Sequence, residues 1–354
     1  MPPARLRPII LTTSVNIRTV APVAHLRTHG TSGIVTPRSG AAAAALRLRA
    51  AAWEIELTEL PGQISLRLWG CDLRLVDDAL GLRLVLSGPE RRLVDTLRDC
   101  AAEMMAEAGL SIAWDRVDAG ALAPGLSLAT VVGVRRRTPS FWRVRLAGPD
   151  LERFTPDAGL HFRLLIPPAG RDPVWPRVAA SGRTAWPEGA DSLHRAVYTL
   201  SDCGRTGGTG WIEFDACRHS PSPTCNWIEG GALGKTVGVL GPGGGTCPQA
   251  RRLWLFGDET ALPAIGRMLP MAQGQARAVL RAEPADLGAL AGDARVTRCD
   301  DLLDALLGHP AARRPDEGAH VWFAGRADQA RAARAHLLAC GWNKASITCA
   351  AYWG

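Results

Sequence analysis

Of the chain's 41 basic residues only two, Lys235 and Lys344, are lysines. Positive charge is therefore presented almost wholly as guanidinium, a planar fork of donors suited to phosphates and anionic chelates. The formal net charge is +7, which favours an anionic partner. A positive surface also attracts nucleic acid, but the arginines are spread along the chain with no basic tail and no run interleaved with aromatics, so nucleic acid is not expected as a partner. No apolar run approaches the roughly 20 residues that span a bilayer, and the best N-terminal apolar stretch, Pro8 to Leu11, is too short for a signal peptide. The reading is a cytoplasmic protein without stable membrane insertion. Nine cysteines include no Cys-x-x-Cys pair, which excludes a zinc ribbon and a cysteine-ligated iron–sulfur cluster. Cys217, His219 and Cys225 lie close together but lack a fourth ligand at metal spacing, so reduced cysteines and no metal site are expected. Disorder is excluded as well, because 47% of the 354 residues are apolar and 21% are charged.

That length accommodates two or three domains. Residues 1–50 read as a poorly defined tail, with Ala41 to Ala45 and the following Leu-Arg-Leu-Arg open to helix or linker. Over 51–118 the pattern is a small α+β domain of unknown role. Trp53, Ile55 and Leu57 alternate with polar residues, Pro61-Gly62 turns the chain, and Ile64, Leu66 and Leu68 return as a hairpin. Leu73/Leu75 and Leu82/Leu84/Leu86 follow as strands. A helix opened by Pro89 carries Leu93, Val94, Leu97, Ala101, Met104 and Met105 on one face and ends at Gly109. Ala119 to Gly125 reads as a linker. From 126 to 249 short strand patterns alternate with Gly/Pro turns, which implies a barrel or sandwich, interrupted by a long loop over 167–192. From 250 to 354 strands at Arg252–Phe256, Ala276–Ala282, His320–Ala324 and Ile347–Ala350 alternate with helices, the signature of a parallel α/β sheet that binds nucleotides.

Three stretches carry chemistry. Arg195, Tyr198 and Thr199 lie in a strand after the long loop, where a guanidinium can pair with a diphosphate, a ring can stack on a heterocycle and a hydroxyl can bond a ring heteroatom. An ordinary exposed strand explains them equally well. Gly241-Pro-Gly-Gly-Gly245 is neither Gly-x-Gly-x-x-Gly nor followed by a helix, so it reads as a turn leaving the barrel rather than a phosphate loop. Leu253 to Ile265 runs from strand through Gly257-Asp258-Glu259-Thr260 into a helix with Pro263 near its start, a terminus able to offer amides to a phosphate. The acidic pair would repel that phosphate, so both carboxylates are expected to face elsewhere.

Taken in order, these segments resemble the siderophore-interacting protein family, flavin-dependent ferric-siderophore reductases of the ferredoxin–NADP reductase superfamily. The resemblance covers residues 127–354. It rests on Val134-Arg-Arg-Arg-Thr-Pro-Ser-Phe-Trp-Arg143 through Leu151, on Arg195 with Tyr198-Thr199, and on Phe214-Asp-Ala-Cys-Arg-His219 through Trp227. It continues through Gly257-Asp-Glu-Thr-Ala-Leu-Pro-Ala-Ile265, Val321-Trp-Phe-Ala324-Gly325 and Tyr352-Trp353. The implied fold is a β-barrel FAD-binding domain over 126–249 followed by an α/β parallel-sheet NAD(P)H-binding domain over 250–354.

The resemblance implies that FAD lies across the barrel and meets Arg195, Tyr198, Thr199, His219, Thr224, Cys225 and Trp227. The diphosphate would sit near Arg195, the ring against Tyr198 and the flavin edge at Thr199, making Tyr198 and Thr199 the catalytic pair. NADPH or NADH would dock among Gly257, Asp258, Thr260, Ala261, Pro263, Ala324 and Gly325, with Trp353 covering the site. The partner would be a ferric siderophore, for which Lys344 and Arg326 are candidates by position. Three departures stand out from the family pattern. Ser201 replaces an arginine, Thr224 and Cys225 replace smaller loop residues, and Arg326 replaces an acid. They leave open a non-catalytic flavin- or siderophore-binding protein of the same fold.

Overall fold

The computed structural model describes residues 28–53, 55–219 and 222–354. They fall into two compact units. One comprises Ser127–Ile166 with His194–Gly354, and the other the described residues up to Leu126 with Pro167–Leu193.

The first elements of the chain are β1 (His29–Thr36) and α1 (Ala41–Trp53), followed by β2 (Leu57–Leu60), β3 (Gln63–Leu68), β4 (Cys71–Asp78) and β5 (Gly81–Gly88). Then come α2 (Arg91–Glu107) and β6 (Ser111–Trp114). The six strands form one antiparallel sheet in the order β2-β3-β4-β5-β1-β6. The expected tail is thus corrected from His29 onward, since β1 lies inside the sheet and α1 packs on it. Residues 1–27 lie outside the described residues. The expected hairpin also starts later, because Trp53 closes α1. One sheet face alternates Ile64, Leu66, Leu68, Leu73, Leu75, Leu82, Leu84 and Leu86, and buries them against Leu46 of α1 and Val94, Leu97, Ala101 and Met105 of α2. Pro89 stands just before the Glu90 N-cap of α2. The far end of α2 closes in a Schellman motif, with Gly109 N bonded to Ala106 O and Leu110 N to Met105 O. Gly109 at φ 74° supplies the left-handed residue that motif needs.

The barrel begins with β7 (Leu126–Thr138), β8 (Phe141–Gly148) and β9 (His161–Ile166). The chain then leaves through 167–193, which carries the two-residue strands β10 (Arg177–Val178) and β11 (Thr184–Ala185). This segment is not part of the barrel, as expected from a 126–249 domain, but belongs to the N-terminal unit. Gly120 N bonds Val178 O, Ala123 N bonds Pro176 O, and Thr184 N bonds the Asp99 carboxylate. Returning, the chain forms β12 (His194–Thr199), β13 (Asp202–Thr206), β14 (Thr209–Cys217), α3 (Pro223–Glu229) and β15 (Thr236–Gly243). The sheet order is β12-β9-β15-β7-β8-β14-β13. Ser201 N bonds Glu213 O of β14 and draws the sheet round toward closure. Alternate residues Val131, Val144, Leu146, Phe162, Leu164, Ile212, Phe214, Val237 and Val239 point inward as a dry core. Gly241 to Gly243 extend β15 rather than only leaving it.

The last third alternates β16 (Arg252–Asp258), α4 (Leu262–Met271), β17 (Gln275–Arg281), β18 (Val296–Arg298), α5 (Leu302–Gly308) and α6 (Pro310–Arg313). It ends with β19 (Ala319–Arg326), α7 (Ala327–Ala339) and β20 (Ile347–Trp353). All five strands are parallel in the order β18-β17-β16-β19-β20. The order reverses between β16 and β19, and open parallel sheets bind ligands at such a point, outside the strands' carboxyl ends. Among the described residues no helix is long and apolar enough to cross a membrane.

The arginines of the barrel's first strands are structural. Arg143 holds Asp215 with two bonds of 2.6 and 2.7 Å, Arg137 adds a third of 2.6 Å, and Arg145 reaches Glu213 at 2.8 Å. The Asp215 side chain is only 1% exposed. Replacing Asp215 by Asn would leave half-buried guanidiniums without their counter-charge. The loss should be about 3 kcal/mol of stability, read from urea unfolding, by analogy with broken buried pairs.

Candidate active site

The decisive turn follows β16. Gly257 lets the chain fold tightly into α4, because a Cβ there would stand 2.6 Å from Ile265 Cδ1 and 2.7 Å from Ala261 Cβ. Asp258, 1% exposed, then caps its own turn: Oδ1 accepts from Thr260 N at 2.9 Å and from Thr260 Oγ1 at 2.5 Å. Its other oxygen accepts from the Trp353 indole N–H at 2.7 Å. Glu259 pairs with Arg281 at the neighbouring strand tip at 2.8 Å. Both carboxylates are thus engaged by neighbouring groups of the protein. Ala261, Pro263, Ala324 and Gly325 are buried around this turn, so what they offer a ligand is main chain and shape.

β20 brings the barrel to the crevice. Its register with β19 shifts between Gly325 and Arg326, so Ala351 pairs with Gly325, Trp353 with Arg326, and Tyr352 is the extra residue. A bulge re-aims the residue it releases. The Tyr352 phenol reaches His161 Nε2 of β9 at 2.7 Å. His161 Nδ1 lies 3.2 Å from Gly244 O. Burial, with Arg267 nearby, pushes His161 down to about 4, so the ring is neutral at pH 7. Burial also pushes the Tyr352 phenol upward.

The two faces of β12 do different work. Successive side chains alternate across a strand, and directly paired residues share a face. Tyr198 pairs with Phe162, and its ring stands 4.6 Å from Phe214. Thr224 Oγ1 lies 3.2 Å from His194 Nε2. Burial raises the Tyr198 phenol and lowers His194. Arg195 is three residues from Tyr198 and lies on the other face, with Val197, Thr199, Arg163 and His161. Strand geometry thus puts Arg195 on the face of Thr199 and opposite Tyr198. Arg163 is half-buried, and burial together with the neighbouring Arg195 lowers its pKa.

Other expected residues separate. Cys225 is buried, its N–H capped by Ser222 and its thiol donated to Cys217 O at 3.3 Å, while Trp227 packs into the barrel core. His219 is exposed in the loop after β14. Arg326 is paired twice with Asp328, at 2.5 and 2.7 Å. Lys344 precedes β20, so it sits at the amino end of a sheet whose crevice lies at the carboxyl end, and it does not share a site with Arg326. The sequence reading missed His161 and Arg163. The alternation of His161, Arg163 and Leu165 along β9 was the available signal.

Two family models match in tandem, one described as a siderophore-interacting FAD-binding domain over residues 130–246, the other as siderophore-interacting protein over residues 250–354. The chain belongs to the siderophore-interacting protein family. A siderophore utilization protein from T. fusca is 26% identical with a TM-score of 0.55, over 67% of this chain and 95% of that one. A siderophore-interacting protein from Aeromonas hydrophila is 21% identical with a TM-score of 0.50, over 64% of this chain and 97% of that one, and shows the fold. No curated protein matches the chain. The N-terminal unit up to Leu126 precedes both matched regions.

The buried histidines give the family member a pH signature. His161 and His320, the latter bonded to Thr348 at 2.9 Å, are both lowered to about 4 from an ordinary 6.5. Unfolded histidine takes up a proton that the folded ring refuses, so stability is full above pH 6.5 and falls as pH drops toward 4. Each ring should contribute about 3 kcal/mol to that fall. His161→Phe should remove its share from the pH dependence of urea unfolding between pH 7 and 4.

Proposed function

We propose that this protein is an FAD-dependent ferric-siderophore reductase of the cytoplasm, taking electrons from NADPH or NADH and releasing Fe(II) from an anionic ferric siderophore. The observation that carries this reading is the meeting of β9, which lies beside the edge strand β12 of the barrel sheet, with the crevice at the tips of β16 and β19 through Tyr352 and Trp353. An edge strand has unpaired main-chain groups along one side, and a planar heterocycle with donors and acceptors on its rim matches such an edge. Tyr198 and Thr199 flank it. These residues fit the ring end of a flavin. When bound, FAD would accept a hydride from the nicotinamide and return electrons singly to iron.

The chain's own part is orientation and charge. Tyr198 is held against Phe214, so the ring is packed before a ligand arrives. Thr199 presents its oxygen at the strand end. The turn Gly257–Pro263 and the buried Ala324–Gly325 would receive the nucleotide, and Trp353, 44% exposed, supplies an apolar cover anchored by Asp258. Arg195 is reassigned from the diphosphate to the substrate, because it shares a face with Arg163 and the two cations repel. An anionic chelate would relieve that repulsion. Hard catecholate or hydroxamate oxygens hold Fe(III) much better than Fe(II), so reduction frees the metal.

The test is an anaerobic titration of FAD-loaded protein with NADPH or NADH, followed by a ferric siderophore. Flavin absorbance should bleach and then recover. Arg163→Ala and Arg195→Ala should each raise KM for the chelate about tenfold at low salt while leaving flavin reduction by the nucleotide intact. Loss of FAD on Arg195→Ala would return that residue to the diphosphate. Chelate binding without FAD uptake would favour the non-catalytic binding protein instead.

A further inference from the structure

The two ends of the nucleotide crevice are built differently. Trp353, at the tip of β20, bonds Asp258, and its neighbour Tyr352 bonds His161 of the barrel, so the nicotinamide end of a dinucleotide belongs on that side. With its phosphates at the turn Gly257–Pro263, the adenosine end then extends over the tips of β17 and β18, the strands beyond β16 in the sheet order. Both tips carry arginine. Arg281 ends β17 beside Asp258, and Arg298 ends β18 beside Leu280. Successive side chains alternate across a strand. Arg281 therefore shares the face of Val279, which packs with Phe256, Leu302 and Leu306, whereas Leu280 packs on the other face in one cluster with Phe141 and Leu160 of the barrel. The Arg281 side chain is thus turned away from the barrel. It is 47% exposed and is held by a Glu259 carboxylate oxygen at 2.8 Å. Of the other acids that follow these strands, Asp301 caps α5 by accepting from Asp304 N at 2.8 Å, while Glu283 and Asp300 are exposed.

We infer that Arg281, assisted by Arg298, binds a phosphate on the 2′-oxygen of the adenosine ribose, with Glu259 as an internal competitor for the same guanidinium, so that the coenzyme is NADPH rather than NADH. The inference rests on the nucleotide reading above and decides the coenzyme that it leaves open. In nucleotide-binding parallel sheets an acidic side chain at this place bonds the ribose 2′-hydroxyl, and an arginine accommodates a 2′-phosphate. A guanidinium meets a phosphate with two parallel N–H donors. An ion pair as exposed as Glu259–Arg281 contributes little, so a phosphate dianion displaces the carboxylate. Until then Glu259 keeps the arginine at the strand tip. NADH carries no anion at the 2′ position, leaves that pair intact and gains nothing from it. A charge-assisted contact against none is worth about tenfold in affinity.

Calorimetric titration of the full-length protein with adenosine 2′,5′-bisphosphate and with 5′-AMP at low salt reads this preference without flavin or hydride transfer. The bisphosphate should bind about tenfold tighter. Arg281→Ala should remove most of that factor and Arg298→Ala a smaller part, while the affinity for 5′-AMP stays unchanged and shows the crevice still folded. Glu259→Gln removes the competitor and should raise the preference about threefold, a gain that no folding defect produces. Equal binding of the two nucleotides overturns the inference, as does a preference that survives both arginine variants. In either case, NADH that still bleaches the FAD-loaded protein leaves the reductase reading standing. If neither coenzyme bleaches it and neither adenosine nucleotide binds, the nucleotide reading of the crevice falls as well.

Discussion

Everything chemical in this molecule hangs on the last turn of β20, where neighbouring side chains hold two different halves. Tyr352 bonds into the barrel through His161, while Trp353 bonds the buried Asp258 of the parallel sheet. Among the described residues β20 is an edge strand paired with β19 alone, so its end has no second strand there to fix it. The bulge opposite Gly325 solves the geometric problem, since a regular strand would not free Tyr352 for the barrel. The result is a joint made from side-chain hydrogen bonds whose buried partners cannot turn to water instead. Losing either bond strands a polar group, and that asymmetry makes the joint specific.

Two groups of arginines on the barrel strands sit in different electrostatic surroundings. On β7 and β8 guanidiniums are consumed by Asp215 and Glu213 in a cross-strand ladder, with Arg145 also lying 4.1 Å from the Trp211 ring centre. These charges stabilise the barrel and are silent to a ligand. Arg163 and Arg195, by contrast, stand on paired strands that contain no acidic residue. Arginine suits that position better than lysine, because a buried ammonium sheds its proton more readily than a guanidinium. A net charge of +7 is therefore a poor guide by itself to where an anion would bind.

The parallel half was legible because apolar strand runs alternate with capped helices, and Gly257 to Ile265 marks the turn between them. The barrel strands were legible from their alternation. β13 was not, since Asp-Cys-Gly-Arg-Thr has little strand character and is made a strand by β14 alongside it. β1 was hidden by two glycines and α1 by an alanine run lacking caps; burial against the sheet decides both. At the site, the period of a strand already placed Arg195 and Tyr198 on opposite faces, but the match to a ligand-binding pattern outweighed that count. Lys344 fails for a topological reason that no local pattern carries. The contact of His161 with Tyr352 spans 191 residues, so nothing near either position announces it.

The acidic pair at the start of the nucleotide crevice illustrates how satisfaction of buried groups shapes affinity. Asp258 spends its oxygens on Thr260 and Trp353, and Glu259 is neutralised by Arg281, which stands at the tip of the strand paired with β16. Glu259 thus has a counter-charge, while Asp258 keeps its charge with both oxygens engaged by neutral donors. What they leave behind is a rigid turn whose main chain is already shaped, beside an indole held in place. Rigidity of that kind lowers the ordering cost of binding.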